Sequence, residues 1–154
     1  MLRPIAILLA VCGAGSASAL SCVRPDVVSS FERADQRNEG FVLALGSLER
    51  IGPNVMDGPE TGDPNRRVGY GFPARFDGRL ATSDGFLAER AFDVTVEVSC
   101  VSAWCGGDST SDYGLYFLRS DGTGAYALES DPCGGFFFDT PEEHQLMEVI
   151  GLMP

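Results

Sequence analysis

Four cysteines, Cys22, Cys100, Cys105 and Cys133, constrain this chain more than any other feature. Three of them fall in two short stretches, residues 100–107 and 132–135, which also hold the only Trp and two Gly pairs. Both stretches sit beside the most strand-like parts of the sequence, so they form a covalent centre. Cleavage of a leader carrying the fifth cysteine, Cys12, leaves these four, and in an exported chain an even count reads as two disulfides, with three pairings compatible with it. Zinc is the rival chemistry, but the spacing offers no C-x-x-C knuckle and the single His144 adds little.

The first residues supply the export signal that the disulfide reading needs. Arg3 gives a positive start, residues 4–11 give a short apolar run, and Ala17-Ser18-Ala19 supplies small residues for signal peptidase. Residues 1–19 are therefore expected to be a signal peptide and residues 20–154 a single domain, with Leu20 as the first mature residue. A lipidation reading at Cys12 or Cys22 fits less well, because Val11 and Leu20 are poorly placed for it. No later apolar run reaches the roughly 20 residues of a spanning helix, so the expectation is a soluble periplasmic or extracellular protein.

Charge narrows the partners. The chain has a net charge of −11 and no Lys at all, its 11 basic residues all being Arg. Loss of Arg3 with the leader makes the mature chain one unit more negative. A field of that sign repels phosphate backbones and anionic headgroups, which argues against nucleic acid and membrane surfaces. Proteins, neutral glycans or cations remain, and the domain is expected to be a monomer.

Val27, Val28, Phe31 and Ala34 recur at helical spacing over residues 25–36, with Pro25 and Asp26 suited to a first turn. Residues 40–48 read as a strand buried on both faces, and residues 51–66, with Pro53, Pro59 and Pro64, as a long loop. Residues 67–80 predict two short strands or one bent strand, with Pro73 at an edge or bulge. The cleanest strand covers residues 90–100, where Phe92, Val94, Val96 and Val98 alternate with Asp93, Thr95, Glu97 and Ser99. Asp121-Gly122 between residues 114–119 and 125–128 predicts an antiparallel hairpin. Residues 136–138 add a short strand, and Thr140, Pro141 and the following Glu residues predict the start of a helix reaching about Leu152. The fold class is mainly β, a small partly open five-stranded barrel with a helix at each end.

At this point the residues resemble a known family. Leu20-Ser21-Cys22-Val23-Arg24-Pro25, the helix after it, the strand ending in Cys100, Trp104-Cys105-Gly106, and Pro132-Cys133-Gly134 before a last helix are similar to the OB-fold domain of tissue inhibitors of metalloproteinases (TIMPs) and netrin-like modules. The resemblance covers most of the mature chain and implies a five-stranded Greek-key barrel. Inhibitors of that family begin Cys-x-Cys, and the terminal amine and carbonyl chelate the protease zinc. Carried over, Leu20 takes the first-Cys place, Ser21 the place that enters the specificity pocket, and Cys22 the second-Cys place. Leu20 departs from the pattern, because it cannot form the family's first disulfide. The resemblance implies a Cys22–Cys133 bridge, leaving Cys100–Cys105 as a local clasp. The residues themselves leave Cys22–Cys100 with Cys105–Cys133 open.

Trp104 has two readings, an exposed binding anchor or a core residue against the neighbouring disulfide; the second is preferred, because a lone Trp in a small domain usually serves packing. Asp57, Glu60 and Asp63, with Asp108 and Asp112 further on, read as solvated acidic loops rather than calcium ligands. His144 has no nucleophile near it in sequence, and no hydrolase, zinc-protease or phosphate-loop motif occurs, so no catalytic residue, metal or cofactor is expected. Tyr70, Phe72, Phe76, Tyr113 and Tyr116 are aromatics of the type that stack on bases, but the charge has the wrong sign. The expected function is an exported, non-catalytic netrin-like module that binds a protein or small ligand through barrel-end loops. The alternative is a metalloprotease inhibitor acting through Leu20 and Ser21.

Overall fold

A computed structural model describes residues 21–154. The leader expected over residues 1–19, and Leu20 with it, lie outside the described residues. In chain order the elements are α1 (Val27–Asp35), β1 (Gly40–Arg50), β2 (Val55–Met56), β3 (Tyr70–Thr82), β4 (Gly85–Val98), β5 (Cys100–Val101), β6 (Trp104–Cys105), β7 (Ser111–Ser120), β8 (Tyr126–Ser130), β9 (Phe137–Asp139) and α2 (Glu143–Gly151). The protein is mainly β with a helix at each end.

β1, β3 and β4 form an antiparallel meander, β4 pairs parallel with β8, and β8 meets β7 antiparallel. β7 then pairs back onto β1, so the five strands close into a ring. β2 extends β3 at one side and β9 extends β7. Closure removes the free edges that would otherwise recruit other chains.

Closure demands a sharp coil, and glycine supplies it. Gly46 of β1 stands opposite Gly78 of β3 and opposite Gly114 of β7, so one row across three strands has no side chains. Bare backbone lets those strands approach and bend as side chains would not. A register shift follows at once in β1, between Gly46 and Leu48.

β4 keeps the predicted alternation: Val94, Val96 and Val98 are buried, while Asp93, Thr95, Glu97 and Ser99 are exposed. β7 does not alternate, because both of its faces are covered. Tyr116 stacks on Phe137 and meets Phe76 edge-on, whereas Phe117 packs against Phe136 and Phe138. Leu43, Ala44 and Leu45 of β1 are buried in an equally unbroken run. Each fully buried Val, Leu or Phe contributes about 1.5–3 kcal/mol relative to exposure.

Pro73 falls inside a single 13-residue strand rather than at an edge. On one side of β3, β2 partners Tyr70 and Gly71, and β1 partners Ala74 onward, so Pro73 occupies the place where the partner changes. A missing N–H is tolerated there. β7 and β8 pair over only two positions, Arg119–Ala127 and Ser120–Tyr126, while β8 runs parallel with β4 along all five of its residues. The simple hairpin expected from Asp121-Gly122 is thus only its tip.

α1 begins at Asp26, whose Oδ1 accepts the Ser29 N–H at 2.9 Å while Oδ2 takes the Ser29 hydroxyl at 2.9 Å. Those bonds hold the Asp26 carboxyl below its usual range. Val27, Ser30 and Ala34 face the core, and α1 packs on α2, whose Val149 is buried. α2 starts later than expected. Its cap is Glu142, whose N–H donates to Gln145 Oε1 at 2.9 Å, while Thr140 adopts a positive φ of 43° in the preceding turn.

Candidate functional site

β4 and β8 run parallel and finish together, Val98 level with Ser130. Just beyond, the Ser99 N–H donates to the Ser130 carbonyl at 3.0 Å, and the Gly106 N–H donates to the Ser99 carbonyl at 3.0 Å. The Ser130 hydroxyl, buried, donates to the Gly107 carbonyl at 2.8 Å and accepts from Ser109 Oγ at 3.0 Å. A Cβ on Gly106 would overlap the Ser130 carbonyl, which explains Gly at that crossing. The chain thereby leaves β4, makes an excursion from Cys100 to Cys105, and returns to the same barrel end.

That excursion is a clasped hairpin. Cys100 is bonded to Cys105, the two stand opposite each other in the β5–β6 ladder, and Val101 stands opposite Trp104. Ser102 takes a φ of 58° at the turn, its carbonyl accepts the Arg67 N–H at 3.1 Å, and its hydroxyl donates to the Asn65 carbonyl at 3.0 Å. These bonds stitch the hairpin to the long loop before β3. Val101 is 54 % exposed and Trp104 57 %. Trp104 is therefore not a core residue, contrary to the sequence expectation; the cross-strand pair places it on the outer side of a hairpin that belongs to no barrel strand.

The second bridge, Cys22–Cys133, meets the same barrel end. Together the two bonds are the pairing that the family resemblance implied. Asp131 Oδ1 accepts the N–H groups of Cys133 at 2.7 Å and Gly134 at 2.9 Å, which turns the chain after β8 and presents Cys133 outward. Arg33 of α1 donates to the Gly134 carbonyl at 3.1 Å and lies 4.3 Å from the centre of the Phe136 ring. Cys22, with its sulfur in the bridge, has no thiol to hold a lipid. Ser21 and Cys22 are exposed, and Val23 is 90 % exposed.

Beside this end, on the outer face of β4, β7 and β8, an ion-pair chain crosses the barrel. Arg37 reaches both carboxylate oxygens of Glu129, at 2.6 and 2.9 Å, and also bonds Glu39. Arg119 bonds Glu129 at 3.0 Å and Glu97 at 2.6 Å. Bonding to Glu129 first, then Glu39, raises the Arg37 pKa, and bonding to Glu97 raises that of Arg119. Sequence reading missed this network because its five members come from four separate segments.

The remaining candidates separate. Asp57, Glu60 and Asp63 are exposed in the loop before β3, and Asp108 and Asp112 are exposed near the start of β7. Among the described residues no three His, Cys, Asp or Glu side chains come together in a way that could hold a metal ion. His144 Nδ1 lies 3.1 Å from Glu142 Oε2 on exposed α2. Phe72, Phe76 and Tyr116 are buried in the core and cannot stack on a ligand. No helix among the described residues is long and apolar enough to cross a membrane. No protein-family model, curated protein or solved structure matches the chain.

Proposed function

We propose that this chain is an exported, disulfide-stabilised binding module of the TIMP/netrin-like OB-fold type, without catalysis of its own, that engages a partner protein through the loops at one barrel end. The ring of five strands with one parallel pair supports the fold assignment, and two disulfides in a small domain suit an oxidising compartment. The observation that bears most on function is the Val101–Trp104 pair. A large aromatic and a β-branched residue held in water on a covalently clasped hairpin are pre-organised, and Trp is enriched among residues that dominate interface energies.

A photo-crosslinking residue in place of Val101 tests this in cells. The same residue at Thr123, in the loop between β7 and β8 at the other barrel end, serves as control. A discrete adduct from position 101 that Trp104→Ala removes is the expected result; no adduct, or one indifferent to Trp104, overturns the reading.

Inhibition of a zinc metalloprotease through Leu20 and Ser21 is the second reading. It is favoured by the exposure of Ser21 immediately before a cysteine fixed to the same barrel end. Ordering Leu20 only on binding costs about 1–2 kcal/mol, so inhibition would be weakened but not lost. One extra residue before Leu20 is expected to abolish inhibition while leaving the Val101 adduct intact. Failure of the native terminus to inhibit any of a panel of zinc metalloproteases disposes of this reading alone.

A further inference from the structure

The outer face of the sheet carries a second surface, which adjoins the foot of the Trp104 hairpin at Ser99 without including Val101 or Trp104. Val55, Gly71, Glu97 and Glu129 stand in one register row across β2, β3, β4 and β8. Three of these have side chains and Gly71 has none. The face therefore sinks between Val55 and Glu97 into a trough of about 700 Å³. Its floor is the Gly71 backbone with Pro73 and Thr95, which are opposite each other two positions on, in the next row of the same face. Asp57 lines it from the β2 side, and Asp131 lines it from the β8 side.

The charges along it are unequally matched. Glu97 and Glu129 are already bonded to Arg119 and Arg37. Asp57 and Asp131 have no ion-pair partner among the described residues. Only one oxygen of Asp131 is engaged, by the Cys133 and Gly134 N–H groups. A trough that offers the Pro73 ring and the bare Gly71 as a bed, with unmatched carboxylates at its sides, fits an aliphatic stem that ends in a positive charge, which describes a Lys or Arg side chain. The chain's net charge of −11 attracts such a partner from a distance.

We propose that the trough at Gly71 docks a basic segment of a partner protein, with Lys or Arg stems lying over Gly71 and Pro73 and their charges directed to Asp57 on one side and Asp131 on the other. None of Leu20, Ser21, Val101 or Trp104 takes part, so this surface and the barrel-end reading stand or fall separately.

The test is an amide-resolved NMR titration of the oxidised mature protein at low salt, with an acetylated, amidated Ala-Ala-Arg-Arg-Ala-Ala peptide as probe and its Gln-Gln counterpart as control. Saturable shifts at Gly71, Thr95 and Ser99 with the Arg peptide alone are expected. Asp57→Asn, a change on an exposed side chain, should weaken the probe about three- to fivefold. Gly71→Leu should abolish the shifts by filling the trough, and Trp104→Ala should leave them unchanged. Equal shifts from the Gln peptide, unsaturated shifts scattered over the acidic surface, or undiminished affinity in Asp57→Asn would each overturn the proposal. So would reproduction of the same saturable shifts by calcium or spermine, which would make the trough a small-cation site.

Discussion

Replacing Gly46 by Ala tests whether the bare row across β1, β3 and β7 is what closes the barrel. A Cβ there would overlap the Asp77 carbonyl oxygen and lie 2.6 Å from the Gly78 Cα, where ordinary contact begins near 3.4 Å. Both obstacles are backbone, so no side chain can swing aside. β1 and β3 must part by close to 1 Å, at a point where β1 also pairs with Gly114 of β7. Overpacking of that kind costs about 1–3 kcal/mol, and a stretched ladder bond adds about 1 kcal/mol. The expected loss is about 3 kcal/mol. For a domain of this size that lowers Tm by about 10 °C. Gly40→Ala is the matched control, since its Cβ would meet only the Ser120 carbonyl at 3.6 Å. Urea unfolding followed by far-UV circular dichroism under non-reducing conditions reads both. If Gly46→Ala falls within about 0.5 kcal/mol of Gly40→Ala, within the usual range for harmless substitutions, the closure argument is wrong.

Burial, with Asp139 and Asp112 adding to it, pushes the Tyr116 hydroxyl above its ordinary value of 10. The folded state then binds that proton more tightly than the unfolded chain, so its contribution is complete below pH 10 and is lost as pH rises beyond. Tm measured from pH 8 to 11 should fall more steeply in the wild type than in Tyr116→Phe. A double-mutant cycle of Arg37→Met and Glu129→Gln should give a coupling of about 1 kcal/mol that shrinks in 1 M salt; zero coupling would leave the ion-pair chain without energetic weight. Trp104→Ala should change stability by less than about 0.5 kcal/mol, because the ring is already largely in water. A loss above 2 kcal/mol would show that the ring packs after all.

How far the sequence could be read depended on whether a pattern was local. β4 was legible because each apolar residue reports its own face, and α1 because Asp26, Val27 and Ala34 fall within three turns. The strand ends around Asp121-Gly122 were legible too, but not that β8 meets β7 at only two positions while pairing with β4 along its whole length, since parallel pairing links segments with no turn between them. Pro73 misled because an edge was sought in β3 as a whole, whereas the tolerance lies in a two-residue handover, Phe72 and Pro73, from β2 to β1. Trp104 misled because composition favours burial for a single Trp, and only the Cys100–Cys105 ladder shows that this hairpin stands outside the barrel. The trough could not be foreseen at all. It depends on Gly71 sharing a row with Val55 and Glu97, which is a matter of register.

The bond between Cys22 and Cys133 also sets how the molecule bears mechanical load. Tension applied between Ser21 and Pro154 enters at Cys22 and passes directly through sulfur to Cys133, bypassing α1 and every strand from β1 to β8. Only β9 and α2 lie in the stretched path, and fully drawn out that tail lengthens the molecule by no more than about 75 Å. The barrel and its Trp104 hairpin would stay folded on a chain being pulled, and a reductant that cuts this one bond would expose them to the force.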